Sequence, residues 1–218
     1  VGKTALAVRI AHRLRDAFPD GQWYVRLAGA GGAGRDPMDV LAELLHMSGL
    51  EPSHLPAHID ARAALLRARL AERRVLLLLD DAADAAQIRP LLPGIAGPVL
   101  LVTSRADLRG LAALHDVRAV TLDVLSPDEA QTLLAQLVPE VAAGSPDLMS
   151  ELARLCGYLP LALRLAAANL IRRPHADVAR YVSQLKAGDR LRYLAVAGDP
   201  EAAVRATFAL SYTALPVP

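Results

Sequence analysis

Along the first half of the chain, apolar positions switch between a helical and a strand period. Leu6, Ile10, Ala11 and Leu14 fall on one face of a helix expected over residues 3–18, which Pro19-Asp20-Gly21 ends in a turn. Residues 22–27 then alternate, with Trp23, Val25 and Leu27 on one side, as in a half-buried strand. A loop with Gly29, Gly31, Gly32 and Gly34 follows. Helices are expected near 37–48 and 59–72, the second carrying Ile59, Ala63, Leu66 and Leu70 in one stripe. Residues 75–79 and 98–103 are continuous apolar runs, the pattern of parallel strands covered on both faces. Residues 117–122 are expected as a further strand. Strands separated by helices predict an α/β fold with a parallel sheet and right-handed crossovers.

From Ser126 onward the period is helical. Ser126-Pro127-Asp128-Glu129 has the form of a capping box with proline at the first helical position. Ser145-Pro146-Asp147 is written in the same style. Helical segments at 130–137, 146–156, 161–172 and 176–186 predict a small bundle after the sheet, and 201–212 reads as one more helix.

Composition narrows the function classes. Apolar residues make up 53% of the 218 positions. No apolar stretch approaches the ~20 residues of a membrane-spanning helix. Cys156 is the single cysteine, which rules out an internal disulfide framework and suits a reducing, cytoplasmic interior. The six histidines show no ligand spacing. Net charge is +1, and the longest basic runs are the pairs Arg73-Arg74 and Arg172-Arg173. That is no nucleic-acid footprint, and 4% aromatic residues make no stacking platform.

The candidate chemistry begins at Val1-Gly2-Lys3-Thr4, which matches the back half of the phosphate-binding pattern G-x-x-x-x-G-K-[ST] at the start of a helix. In such a loop phosphate rests on backbone N–H groups, the lysine reaches the β and γ phosphates, and the threonine hydroxyl binds Mg²⁺. A helix start with a solvated lysine fits the same four residues. A Mg²⁺–nucleotide site also needs a carboxylate at a neighbouring strand end. Asp80 supplies one directly after four leucines, and Asp81 can orient water or act as a base. The competing reading is that the pair caps a helix near Ala82. Thr103-Ser104-Arg105 ends the next strand, where an arginine can reach a terminal phosphate or simply pair at the surface. Gly157-Tyr158-Leu159-Pro160-Leu161-Ala162-Leu163 joins two helices, with Gly157 ending one and Pro160 beginning the next.

Taken in order, residues 1–4, 76–81, 101–105 and 157–163 resemble the Walker A, Walker B, sensor 1 and G-x-P motifs of NB-ARC domains, which are STAND-class P-loop ATPases. The intervening sequence resembles the actinobacterial branch, whose members are similar to antibiotic-regulatory transcriptional activators. The resemblance implies that residues 1–125 form a P-loop nucleotide-binding domain lacking its first strand. Residues 126–198 would be a helical ARC-type domain and 199–218 the start of a winged-helix domain. It implies that Val1, Gly2, Lys3, Thr4 and Ala5 cradle ATP or ADP. Thr4 and Asp80 would hold Mg²⁺, Asp81 would be the catalytic carboxylate, Arg105 would sense the γ-phosphate, and Pro160 would lie against adenine. The implied function is a regulatory switch with slow ATP hydrolysis and nucleotide-dependent self-association. DNA would be reached only through another domain, and no membrane is involved. The alternatives are an ATPase or kinase whose turnover is the function, or a degenerate scaffold without nucleotide. Three departures stand out. The leading glycines of the loop and the strand before them are absent, so the chain alone is expected to bind nucleotide weakly. The glycine slot of G-x-P falls on Tyr158. The histidine of the winged-helix motif lies past the end.

Overall fold

A computed structural model describes residues 2–29, 34–94, 96–114, 117–171, 178–187, 195–196 and 199–203. The chain divides into two compact units, one spanning Lys3–Val120 and the other carried by residues from Thr121 onward, with which the segment before Lys3 is grouped.

The first unit is an α/β fold. Its elements are α1 (Lys3–Arg13), β1 (Gln22–Arg26), α2 (Pro37–Met47), α3 (Ile59–Leu70), β2 (Leu76–Ala82), α4 (Ala85–Ile88), β3 (Val99–Ser104) and α5 (Arg109–Leu114). The three strands are parallel in the order β1-β2-β3. Parallel pairing follows from connections long enough to hold helices. Trp23, Val25 and Leu27 alternate onto one face, where Leu77 and Leu79 join them. Val40, Leu41, Leu44 and Leu45 of α2 and Leu66 and Leu70 of α3 close that core. Leu76, Leu78 and Asp80 alternate to the opposite face, the one that α1 covers.

Three expectations in this unit are corrected. Helix α1 stops at Arg13, and Arg15–Ala17 is a separate 3₁₀ turn. The one fully buried residue of α1 is the small Ala7; of the expected stripe Ile10 and Ala11 are half-buried, while Leu6 and Leu14 are exposed. Residues 117–122 form no strand. Val120 is 71% exposed, and no described strand lies beside the segment to receive its backbone hydrogen bonds.

In the second unit the helices are α6 (Pro127–Leu137), α7 (Pro139–Gly144), α8 (Pro146–Leu155), α9 (Pro160–Ile171) and α10 (Val178–Ala187). The capping box forms in full: Ser126 Oγ accepts from Glu129 N, and Glu129 Oε2 accepts from Ser126 N. Ser145 makes no side-chain cap, and the short helix α7 before it has no periodic signal of its own. The core is Leu134, Leu152, Leu163, Ala166, Tyr181 and Leu185 with their neighbours. After α8 the chain closes a Schellman motif, with Gly157 N donating to Arg154 O and Tyr158 N to Ala153 O. Gly157 takes the left-handed φ of +60 that this motif needs, and Tyr158 after it is also left-handed, at φ +55, a backbone that suits glycine. Tyr158, where the sequence pattern would have a glycine, thus carries a side chain on a left-handed backbone.

Cys156 is buried beside that turn, and burial pushes its thiol up to about 12. The native protein is expected to resist a disulfide reagent at pH 8 and to react fully once unfolded. Rapid native reaction would show that this helical core opens.

Two short strands, β4 (Ala195–Val196) and β5 (Asp199–Ala203), pair antiparallel. This corrects the helix expected from 201, because the backbone of Glu201–Ala203 is extended and paired with β4 instead of coiling on itself. Residues 204–218, on which the rest of the expected winged helix falls, lie outside the described residues.

Candidate functional site

The carboxyl ends of β2 and β3 meet the start of α1, all within Lys3–Val120. Gly2, at φ +79, leads into α1, and Lys3, Thr4 and Ala5 make its first turn. Among the described residues no ion pair engages Lys3. Val1 lies outside the described residues.

Asp80 is the hub. Thr4 Oγ1 donates to its Oδ1 at 2.7 Å across 76 residues of sequence. Thr103 Oγ1 donates to the same oxygen at 2.5 Å. The Tyr24 hydroxyl donates to Oδ2 at 3.0 Å. Asp80 is only 4% exposed, so these three hydroxyls take the place of water around its carboxylate. Partial burial, followed by the hydrogen bond to Asp80, raises the hydroxyl of the half-exposed Tyr24 above its ordinary pKa.

Asp81 is the next residue of the strand, and its φ of +60 is uncommon for a side chain of any size. Its carboxylate lies 3.8 Å from Arg105 Nε, and Arg105 follows directly on β3. Neither aspartate caps a helix. Helix α4 begins at Ala85, and its cap is Asp84, which accepts from Gln87 N at 2.8 Å.

The loop after β1 is held against this strand end. Gln87, buried, donates from Nε2 to Leu27 O at 3.2 Å and Arg35 O at 2.8 Å, and its Oε1 accepts from Ala83 N at 2.9 Å. Gly29 sits so close that a Cβ there would lie 2.5 Å from Ala83 N and 2.6 Å from Asp81 O. Gly29→Ala is expected to destabilise the fold by ~1–3 kcal/mol, since backbone and not a movable side chain is in the way. Denaturant unfolding measures this, and an unchanged midpoint would mean that the 81–83 backbone yields freely.

The structure thus brings Thr4, Asp80, Asp81 and Arg105 together, with Lys3 one residue away. Pro160 begins α9 in the other unit. Sequence reasoning missed Tyr24 as a site residue. It sits opposite Trp23 and Val25 in the alternation, between Gln22 and Arg26 on the polar side of β1, so nothing in the pattern marks it out. It noted Thr103 only as the lead-in to Arg105. Metal clusters of histidine, cysteine and carboxylates are absent among the described residues. So is any helix long and apolar enough to cross a membrane.

The chain is similar to a segment of AfsR. It is 45% identical over 213 residues to regulatory protein AfsR of Streptomyces griseus, covering 97% of the chain. It is also 45% identical over 223 residues to regulatory protein AfsR of Streptomyces coelicolor, again over 97% of the chain. The chain spans about a fifth of the length of these AfsR proteins, 21% in each case. No family model matches it.

Proposed function

We propose that this chain is an adenine-nucleotide-binding switch module of the NB-ARC kind within an AfsR-like regulatory protein. The observation that carries this reading is the Thr4–Asp80 hydrogen bond. A threonine in the first turn of a helix and an aspartate at a parallel strand end, 76 residues apart, put two hard oxygen donors side by side. That donor set suits Mg²⁺, which prefers oxygen and takes one or two carboxylates besides phosphate.

The chemistry then divides among named groups. The backbone N–H groups at the start of α1 and the Lys3 ammonium receive phosphate. Thr4 and Asp80 would hold Mg²⁺, which supplies charge neutralisation at the phosphates. Asp81 would orient the attacking water. Arg105, next to Asp81, would read the terminal phosphate. The regulatory role follows from the similarity to AfsR, a regulatory protein. Contact with DNA, self-association and a cytoplasmic setting belong to the same proposal, with DNA reached through a part of the protein other than this chain.

A switch and a dedicated ATPase differ in turnover. A switch should hydrolyse ATP more slowly than roughly one per minute, several hundredfold below the ordinary ~10 s⁻¹. Faster steady-state release of phosphate would favour the enzyme. Arg105→Ala should weaken ATP more than ADP in paired titrations. Equal weakening would reduce Arg105 to a partner of Asp81.

A further inference from the structure

Strand β2 carries one residue more than β3 where the site is built. Leu79 pairs with Val102 and Ala82 with Ser104, so three steps on β2 span two on β3. The extra residue falls within Asp80-Asp81, a β-bulge of the kind that re-aims side chains next to functional sites. In a regular strand these two carboxylates would point to opposite faces. Here Asp81, at φ +60, turns out of the ladder, and its N–H needs another acceptor.

Thr103 provides it. Asp81 N donates to Thr103 Oγ1 at 2.9 Å. A backbone N–H can only donate, so the hydroxyl accepts there and gives its single proton to Asp80 Oδ1. Thr103 is 7% exposed, so little water competes for either bond. One hydroxyl therefore fixes the carboxylate of Asp80 and the backbone of Asp81 together. Its β-branched side chain on a strand is stiff, which keeps the oxygen in place.

We infer that Thr103 is a positioning residue of this site, whose hydroxyl plugs the β2 bulge and sets both aspartates for their separate roles. The inference rests on the proposed nucleotide site. It assigns Thr103 no contact with nucleotide or metal.

The test titrates ADP, with and without Mg²⁺, into the complete regulatory protein that contains this chain, as wild type, Thr103→Val and Thr103→Ser. Valine keeps the shape and loses the hydroxyl; serine keeps the hydroxyl. Removing an outer-shell partner commonly costs about 10–100-fold in metal affinity. Thr103→Val should therefore lose about tenfold or more of its ADP affinity in Mg²⁺, while its Mg²⁺-free affinity stays near wild type. Thr103→Ser should restore the Mg²⁺ dependence. Wild-type behaviour of a folded Thr103→Val overturns the inference, and so does equal weakening with and without Mg²⁺, which a merely structural role would give. Should Thr103→Val fail to fold, Thr103→Ala against Thr103→Ser asks the same question with the same two outcomes. A wild-type protein without Mg²⁺-dependent ADP binding instead sinks the proposed site itself.

Discussion

Asp80→Ala is expected to lower Mg²⁺-dependent nucleotide affinity by roughly a hundredfold, ~2.8 kcal/mol. The size follows from the position of the group. Asp80 is the buried carboxylate on which Thr4, Tyr24 and Thr103 all converge. Its loss removes the charge that would face the metal and leaves three hydroxyls without their shared acceptor. Asp80→Asn separates these effects, since an amide oxygen still accepts hydrogen bonds but carries no charge. It should keep the melting temperature better than alanine does and lose nearly as much Mg²⁺ dependence. Asp81→Ala should differ in kind: binding largely intact, hydrolysis slowed. If the Asp80 and Asp81 variants both lose hydrolysis while keeping Mg²⁺-dependent affinity, Asp80 is not the metal residue.

Lys3→Ala is the second large effect. It should weaken both ADP and ATP at least tenfold, ~1.4 kcal/mol or more. The ammonium stands in the first turn of α1, where helix N–H groups already favour anions, and among the described residues no ion pair competes for it. Lys3 is partly exposed, so its removal should scarcely alter thermal stability. Calorimetric titrations of a well-folded Lys3→Ala protein that match wild type would leave Gly2-Lys3-Thr4 as no more than a helix start.

Much of this geometry is legible in the amino-acid sequence, for reasons that can be named. The four leucines before Asp80 have no polar alternation, the pattern of a short strand covered on both faces. The stripe of Ala63, Leu66 and Leu70 places α3 on the core as expected. Ser126 and Glu129 mark the start of α6 because capping is a local matter of three residues. Whether Asp80-Asp81 caps a helix is not decided by sequence. Asp84 answers that, because the strand runs on through the bulge to Ala82 and a different aspartate caps the helix.

What is not legible depends on partners distant in sequence. Tyr24 and Thr103 meet Asp80 from 56 and 23 residues away, through strand alternation and a bulge. Bulges leave no reliable mark in a sequence of apolar residues. The stripe of Leu6, Ile10, Ala11 and Leu14 specifies a face, but a face is buried only where something covers it: Ile10 and Ala11 are half-buried beside the buried Ala7, and Leu6 and Leu14 stay exposed. Residues 117–122 fail as a strand for the same reason: strand pairing is a relation between segments, and apolar content supplies only one side of it.

The most direct measurement is an equilibrium titration of the complete regulatory protein that contains this chain, with ADP in the presence and absence of Mg²⁺. A nucleotide switch built on Thr4 and Asp80 predicts saturable ADP binding that tightens when Mg²⁺ is added. ADP binding indifferent to Mg²⁺, or no binding at all by a folded protein, would contradict it.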